Sequence, residues 1–397
     1  MLYHLLACLV ILFPLTSGYG PRPQSRCQQA TISVHITAHP RVVSLAPPKN
    51  QSELTGLVTN FTSMHSNLTT DIVHGTRTLT ATYDIWTLLC LPSTPNPDIV
   101  EFAIHGISLD HTYWNFGGEG SQYNYVDAAT KAGHAIFIFD RLGAGESSKP
   151  DGIQDLQEET EVEVVAELIR YIRSGKTGHQ FQQIIGIGHS YGRQVDLCFS
   201  LEITDAFLQS LLLTGIAARY GNLLNATILT GFTPYTTPLP TAFASFGLTI
   251  AAQENPQRFG NLSNAYLTIT NEQFAFYYFP HFDPDVFRRA SQNKDTAALG
   301  QIVALSAAVA TNYTNPVLVV TGDRDFIYCG GDCYQPFAGF GDLVESSYVL
   351  FPSIYLFSWY IPTNMGHIIN FHYGAPEVFK VIQLWISLLN PKVSGDG

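Results

Sequence analysis

The stretch Ile184 to Val195 reads IIGIGHSYGRQV. An apolar run leads into Gly188-His189-Ser190-Tyr191-Gly192, and a segment compatible with a helix follows. G-x-S-x-G between a strand and a helix demands a very sharp turn. Such a turn holds the serine on strained backbone, with its hydroxyl exposed above the end of the sheet. Glycine at both ends leaves room where a side chain would strike the neighbouring strand or helix. Ser190 is therefore the candidate nucleophile. Alone the pattern is weak, because a glycine-rich turn with an idle serine reads the same, so the surrounding chain has to decide.

Outward from this turn the chain alternates. Short, almost wholly apolar runs appear at Val100–Ile104, Ala135–Phe139, Ile184–Ile187, Leu211–Gly215, Val317–Val320 and Ile354–Phe357. Runs of this kind are strands buried on both faces, as in a parallel sheet covered by helices. Between two of them, Asp155–Ser174 predicts a helix with Val162, Val165, Ala166, Leu168 and Ile169 on its inner face and acidic residues in its first turns. Tyr83–Leu91 predicts a further strand, and Thr31–Thr37 and Arg41–Ala46 alternate enough to be antiparallel edge strands. The rest of 21–80 is polar, Thr-rich and irregular. From Arg219 to Asn315 the alternation stops. The interval is rich in Phe, Tyr and Leu, and short helices are expected at Ala242–Ala252, Asn271–Tyr278 and Thr296–Ala310. A loop this long inside a compact domain has structure of its own. The expected organisation is an α/β fold, a mostly parallel sheet flanked by helices, carrying a helical cap. Residues 1–18 form a signal segment and 19–80 an N-terminal arm. The core occupies 81–218 and 315–397, and the cap 219–314.

A serine hydroxyl is nearly inert at neutral pH. It needs a base to take its proton, and the base needs an acid to hold its tautomer. With an elbow of this kind the partners follow in the order Ser, Asp or Glu, His. Asp325, beyond Val317–Val320 in Thr321-Gly322-Asp323-Arg324-Asp325, is the candidate acid, with Asp323 as alternative and Glu345 third. His367, after the last strand in Asn364-Met365-Gly366-His367, is the candidate base, with His372 as fallback. Two backbone N–H groups are needed for an oxyanion. Tyr191 is expected to supply one and Ile107, in His105-Gly106-Ile107-Ser108, the other, with Ser108 as alternative; His105 reads as a support for that loop.

These motifs together resemble those of the α/β-hydrolases, in particular a secreted serine member of the kind found in filamentous fungi. The resemblance runs from about Tyr83 to the C-terminus. It rests on His105-Gly106 with Trp114 following, Asp140-Arg141-Leu142-Gly143-Ala144-Gly145-Glu146-Ser147, the Ser190 elbow, and the pair Gly322–Asp325 and Gly366-His367. It implies that the Asp140–Ser147 loop is structural and shapes the pocket floor. Arg193 and Ser108 depart from the usual pattern and bear on the pocket's shape. Relatives that open epoxides or carbon–halogen bonds carry Asp at the elbow, so Ser190 points instead to acyl transfer.

Bulk properties narrow the setting. The 397 residues are 46% hydrophobic and carry a formal net charge of −12, which argues against nucleic acid as a partner. Leu5–Leu15 is an apolar run too short for a bilayer span, followed by small residues as in a secretory signal; an uncleaved anchor is the competing reading. Secretion, with no stable membrane insertion after cleavage, is expected. Six N-x-S/T sequons begin at Asn50, Asn60, Asn67, Asn225, Asn261 and Asn312, and the first cluster marks an exposed loop. Cys27, Cys90, Cys329 and Cys333 are disulfide candidates suited to an oxidising compartment, and Cys198 reads as a buried free thiol. No metal site has ligand spacing to support it, and the chemistry calls for no cofactor. The expected function is cleavage of a medium-sized apolar ester or lactone, a small-molecule acyl substrate, through an acyl-serine. The alternatives are a natural-product hydrolase or cyclase, an aminopeptidase-type amide hydrolase with Glu202 or Glu254 binding the amine, and a non-catalytic binding protein.

Overall fold

The computed structural model describes residues 26–64, 66–190, 212–304 and 309–390. The expected signal segment, Tyr191, Arg193, Cys198 and Glu202 lie outside them.

The arm begins with β1 (Arg26–Ala38), followed by β2 (Arg41–Val43), α1 (Gln51–Thr62), α2 (Leu68–Ile72), β3 (Val73–Thr76) and β4 (Leu79–Leu91). β1 alternates buried Val34, Ile36 and Ala38 with exposed neighbours, as an edge strand with one solvated face does. It pairs antiparallel with β4 along its length, with Cys27 opposite Cys90, and a disulfide joins the two. β2 pairs with β3 in a separate ribbon. The stretch from Asn50 to Asn67, expected as a loop, is helical over α1. Asn50 caps it, accepting from the Glu53 amide at 3.0 Å, while Glu53 returns a carboxylate oxygen to Lys49 N at 2.8 Å. Leu54, Leu57, Val58 and Phe61 then fall on one face, with Leu54 and Phe61 buried. The asparagines of the three arm sequons are exposed all the same, as are Asn261 and Asn312. Asn225 is half-buried, and its Oδ1 accepts from Arg173 Nη2 and Ile184 N.

The core continues through β5 (Ile99–Ile104), α3 (Tyr125–Ala132), β6 (Ala135–Phe139), α4 (Glu158–Arg173), β7 (Gln183–His189), α5 (Leu212–Tyr220) and β8 (Ala226–Thr230). Two expectations are corrected here. Leu211–Gly215 is not a strand, because helix α5 starts at Leu212. The strand lies further on: β8 is fully buried and runs parallel to β7. The insertion therefore starts after Thr230, not at 219. An apolar run of four or five residues fits a buried helix as well as a strand, whereas ATILT hides its burial behind two threonines. The side chain of one, Thr227, meets the Tyr313 hydroxyl at 2.8 Å inside the core.

The cap is also not purely helical. α6 (Leu239–Ser245), β9 (Leu248–Ile250), α7 (Ala251–Glu254), α8 (Pro256–Phe259), β10 (Tyr266–Ile269), α9 (Glu272–Phe276), α10 (Pro284–Asn293), β11 (Ala297–Ala298) and α11 (Leu299–Val303) follow in order. β9, β10 and β11 form a small antiparallel sheet with β10 in the middle. The chain then returns to the core with β12 (Val317–Val320), α12 (Phe326–Cys329), β13 (Phe357–Tyr360) and α13 (Ala375–Leu389).

Among the described residues the main sheet has eight strands in the order β1-β4-β6-β5-β7-β8-β12-β13. β6, β5, β7, β8, β12 and β13 run parallel, and β4 lies antiparallel between β6 and the edge strand β1. Helices cover both faces, as a parallel sheet buried on both sides requires. One carboxyl group sits in the middle: Glu101 on β5 is fully buried. Its oxygens are matched by the Tyr125 hydroxyl at 2.6 Å, His134 Nδ1 at 2.9 Å and Gln383 Nε2 at 2.9 Å, which binds β5 to α3 and α13.

Candidate active site

In an open parallel sheet the loops that build a site lie at the carboxyl ends of the strands. β7 ends at His189, and Ser190 turns the chain there with φ of +55°, a left-handed conformation that is uncommon for a residue with a side chain. Its amide donates to Thr230 O at 2.9 Å, at the end of β8. Gly188 lies just before the turn against α5, where a Cβ would sit 3.0 Å from a terminal carbon of Leu213.

β12 delivers the acid. Asp325 is fully buried at the N-terminus of α12, and its Oδ1 accepts the Tyr328 amide at 3.0 Å. Its Oδ2 accepts from His367 Nδ1 at 2.8 Å, and His367 Nε2 meets Ser190 Oγ at 2.6 Å. The three candidates thus form one continuous hydrogen-bonded line. Asp323 faces elsewhere. Its Oδ1 accepts the Met365 amide at 3.1 Å, and its Oδ2 lies 3.6 Å from Arg324. Glu345 holds the Gly341 amide at 2.7 Å, away from the line. Gly322 serves close approach: a Cβ there would lie 2.4 Å from Met365 O, so only glycine lets the acid loop rest on the histidine loop.

The other histidines hold the loops. His372 Nε2 accepts the amides of Tyr278 and Gly366, both at 3.0 Å, while Nδ1 donates to Ile368 O. Burial pushes its pKa down to about 4. His105 Nδ1 donates to Gly106 O at 2.8 Å and Nε2 accepts the Arg141 amide at 3.0 Å. Burial, helped by the charge of Arg141, lowers its pKa to about 3. His189 stacks on Tyr113 with centroids 4.5 Å apart, and burial holds its pKa well below the usual imidazole value. All three are neutral at physiological pH and unsuited to shuttling a proton there.

The Asp140–Ser147 loop supports the site from behind rather than forming its floor, since none of its residues lines the cleft. Burial disfavours the Asp140 carboxylate, but His111 and the Glu146 amide more than offset this, and its pKa is lowered. Arg141 forms a buried forked pair with Glu161. Thr296 and Asp295 of the cap bond to Gly143 O and Gly145 N, which ties the cap to the same loop.

Above Ser190 lies an open cleft, whose empty space including its solvent-filled mouth is about 510 Å³. Gly106, Ile107 and Leu109 form one wall. Ile327, Tyr328 and Ile368 form another, and Phe243, Phe246 and Phe276 of the cap form the roof. Gln301 adds a polar group, already bonded to Glu161 and the Ala298 amide. Ile107 and Ser190 line the same cleft. Other cap aromatics pack on each other, as Tyr277, Phe282 and Phe287 do, and the roof is made by the three named. No carboxylate lines the cleft among the described residues, and Glu254 is exposed on α7.

Sequence reasoning missed Tyr328. Its buried hydroxyl faces the Ser190 side chain, and its ring lies 5.7 Å from that of His367. Burial, reinforced by the charge of Asp325, raises the phenol's pKa far beyond its usual value. Its one sequence signal is the place three residues after Asp325, inside the helix that Asp325 caps.

Residues 102–379 match the model of the Alpha/beta hydrolase family. No curated protein matches the chain by sequence. Among solved structures, a thermophilic esterase from Thermogutta terrifontis is similar at 16% identity and a TM-score of 0.48, over 77% of this chain and 94% of that one. A monoacylglycerol lipase from Paleococcus ferrophilus is similar at 15% identity and a TM-score of 0.46, over 76% and 98%. Likenesses this remote leave the chemistry to the site itself.

Proposed function

The chain belongs to the alpha/beta hydrolase family, and from that premise we propose that it is a serine hydrolase cleaving a medium-sized apolar ester or lactone through an acyl-serine. The observation that carries this reading is the unbroken line from Asp325 Oδ2 to His367 Nδ1 and from His367 Nε2 to Ser190 Oγ, at 2.8 and 2.6 Å. Asp325 accepts the proton-bearing Nδ1, which leaves Nε2 free to take the serine proton. As Oγ bonds to the carbonyl carbon, that proton moves to His367 and the carbonyl electron pair moves onto oxygen. The amides of Ile107 and Tyr191 are assigned to stabilise the oxyanion. Collapse expels the alcohol oxygen, which takes the proton back from His367. Water then repeats the sequence and releases the acid.

The apolar roof and walls favour a hydrophobic acyl or alcohol group, because burying apolar surface contributes about 25 cal/mol per Å². Secretion is proposed with this activity. Two disulfides and exposed sequon asparagines suit an oxidising, glycosylating route. Among the described residues no helix is long and apolar enough to cross a membrane. The test is a panel of p-nitrophenyl esters with wild type and Ser190→Ala. Hydrolysis abolished in the variant supports the proposal, and equal rates in both would sink it.

A further inference from the structure

The aromatic roof of the cleft does not end in the cap. From His367 a chain of rings runs through Phe276 at 5.6 Å between centroids, Phe246 at 5.7 Å and Phe243 at 5.0 Å. It then leaves the cleft and reaches Phe61 at 5.8 Å, edge to face at 81°. Phe243, Phe246 and Phe276 line the cleft and Phe61 does not. Phe61 lies in the last turn of α1, buried, in the arm that precedes residues 102–379.

The arm is also fastened to the cap by hydrogen bonds around the start of that helix. Gln51 Nε2 donates to Leu248 O at 2.9 Å, Asn264 Nδ2 to Pro48 O at 2.8 Å, and Gln253 Nε2 to Lys49 O at 3.3 Å. α1 therefore sits on α6 and β9 as a fixed strap, with Phe61 directly behind the ring that closes the cleft.

We propose that α1 sets the depth of the substrate cleft through Phe61, a positioning residue that holds Phe243 forward and so limits the length of apolar chain the site accepts. The inference rests on the esterase reading of this cleft. Interiors are close-packed, so the Phe243 ring has nowhere to retreat while Phe61 is behind it. Removing Phe61 opens a void at its back. A void of that kind is unfavourable and draws neighbouring side chains inward. If Phe243 moves back, the volume passes to the cleft. A long acyl chain then gains burial, whereas an acetyl group gains little.

The experiment compares wild type, Phe61→Leu and Phe61→Ala on p-nitrophenyl acetate and p-nitrophenyl decanoate. Both variants are expected to raise the decanoate-to-acetate ratio of kcat/KM, by about fivefold or more for Phe61→Ala, through a lower KM for decanoate. The kcat for acetate should stay within about twofold of wild type, since the added burial is open only to a chain that reaches it. Phe61→Leu keeps the test open if the alanine variant fails to fold. An unchanged ratio, or an equal loss on both esters, would overturn the proposal. Titration of Ser190→Ala and Phe61→Leu/Ser190→Ala with butyrate and decanoate separates the two ideas. A shift in length preference there without ester turnover in wild type would defeat the esterase reading alone. Turnover in wild type with no shift would defeat only the role of Phe61.

Discussion

Asp325 Oδ2 stands 2.8 Å from His367 Nδ1, and the second oxygen of the same carboxylate is held by the Tyr328 amide at 3.0 Å. The acid is therefore clamped by the helix it caps and has one oxygen left for the imidazole. Asp323, two residues earlier, gives its Oδ1 to the Met365 amide. Asp325→Asn should lower kcat on p-nitrophenyl butyrate by about 10⁴, the loss expected when the tautomer is reversed. Asp323→Asn should lose less than about tenfold, because it touches the loop and not the imidazole. Equal losses would show that the two carboxylates share the role.

Tyr328 brings a hydroxyl to the nucleophile from the acid's side of the site. Tyr328→Phe removes only that hydroxyl. A hydrogen bond of about 0.5–1.5 kcal/mol corresponds to a loss of about twofold to tenfold in kcat, with KM little changed. A raised KM at constant kcat would place the hydroxyl on the substrate instead.

Much of the site is legible in the chain because its residues follow buried strands. Ala135–Phe139 and Val317–Val320 are apolar throughout and flanked by turn residues, so the loops after them can be located, Asp325 among them. The elbow, the acid and the histidine then follow in chain order. β8 is less legible, since Thr227 and Thr230 look polar yet bury their hydroxyls on partners far away in sequence. α1 carries an apolar stripe at helical spacing, but Thr55, Gly56, Thr59 and Thr62 are poor helix formers, and packing on the cap decides for helix. The small cap sheet is harder still, because strands of two to four residues carry too little pattern.

Stability should fall with acid in a defined window. His105 and His372 have folded pKa values of about 3 and about 4 against 6.5 in the unfolded chain, and His189 shifts in the same direction. Above pH 6.5 both states hold these rings neutral. As the pH drops below 6.5 the unfolded chain binds protons that the folded one refuses, so each ring removes up to about 1.4 kcal/mol per pH unit. His111 works the other way: burial disfavours its charged form, but Asp140 more than offsets this and raises its pKa, so its contribution is complete below 6.5 and is lost as the pH rises through the folded value. Urea midpoints at pH 8, 7, 6 and 5 should therefore drop steeply below 6. A flat profile from 6.5 to 5 would contradict the burial of neutral rings.

The two disulfides should separate in their effects. Cys27–Cys90 closes 63 residues and Cys329–Cys333 closes 4, which by loop entropy corresponds to about 4 and about 2 kcal/mol. The shorter one follows Tyr328 directly and has the Cys333 amide on Asp323 O at 3.1 Å, so it braces the acid loop. Replacing Cys27 and Cys90 by Ala should lower Tm more and leave kcat at 25 °C nearly unchanged. Replacing Cys329 and Cys333 by Ala should lower Tm less and reduce kcat. Thermal scans and ester assays on the two double variants read both effects.

In the proposed reaction Ser190 Oγ becomes covalently acylated with help from His367. Its most direct test is intact-mass and peptide mass spectrometry after brief exposure to an alkyl fluorophosphonate. One adduct is expected, located on Ser190, absent in Ser190→Ala and strongly slowed in His367→Ala. An unlabelled wild-type protein that still hydrolyses esters, or an adduct on another residue, would contradict it.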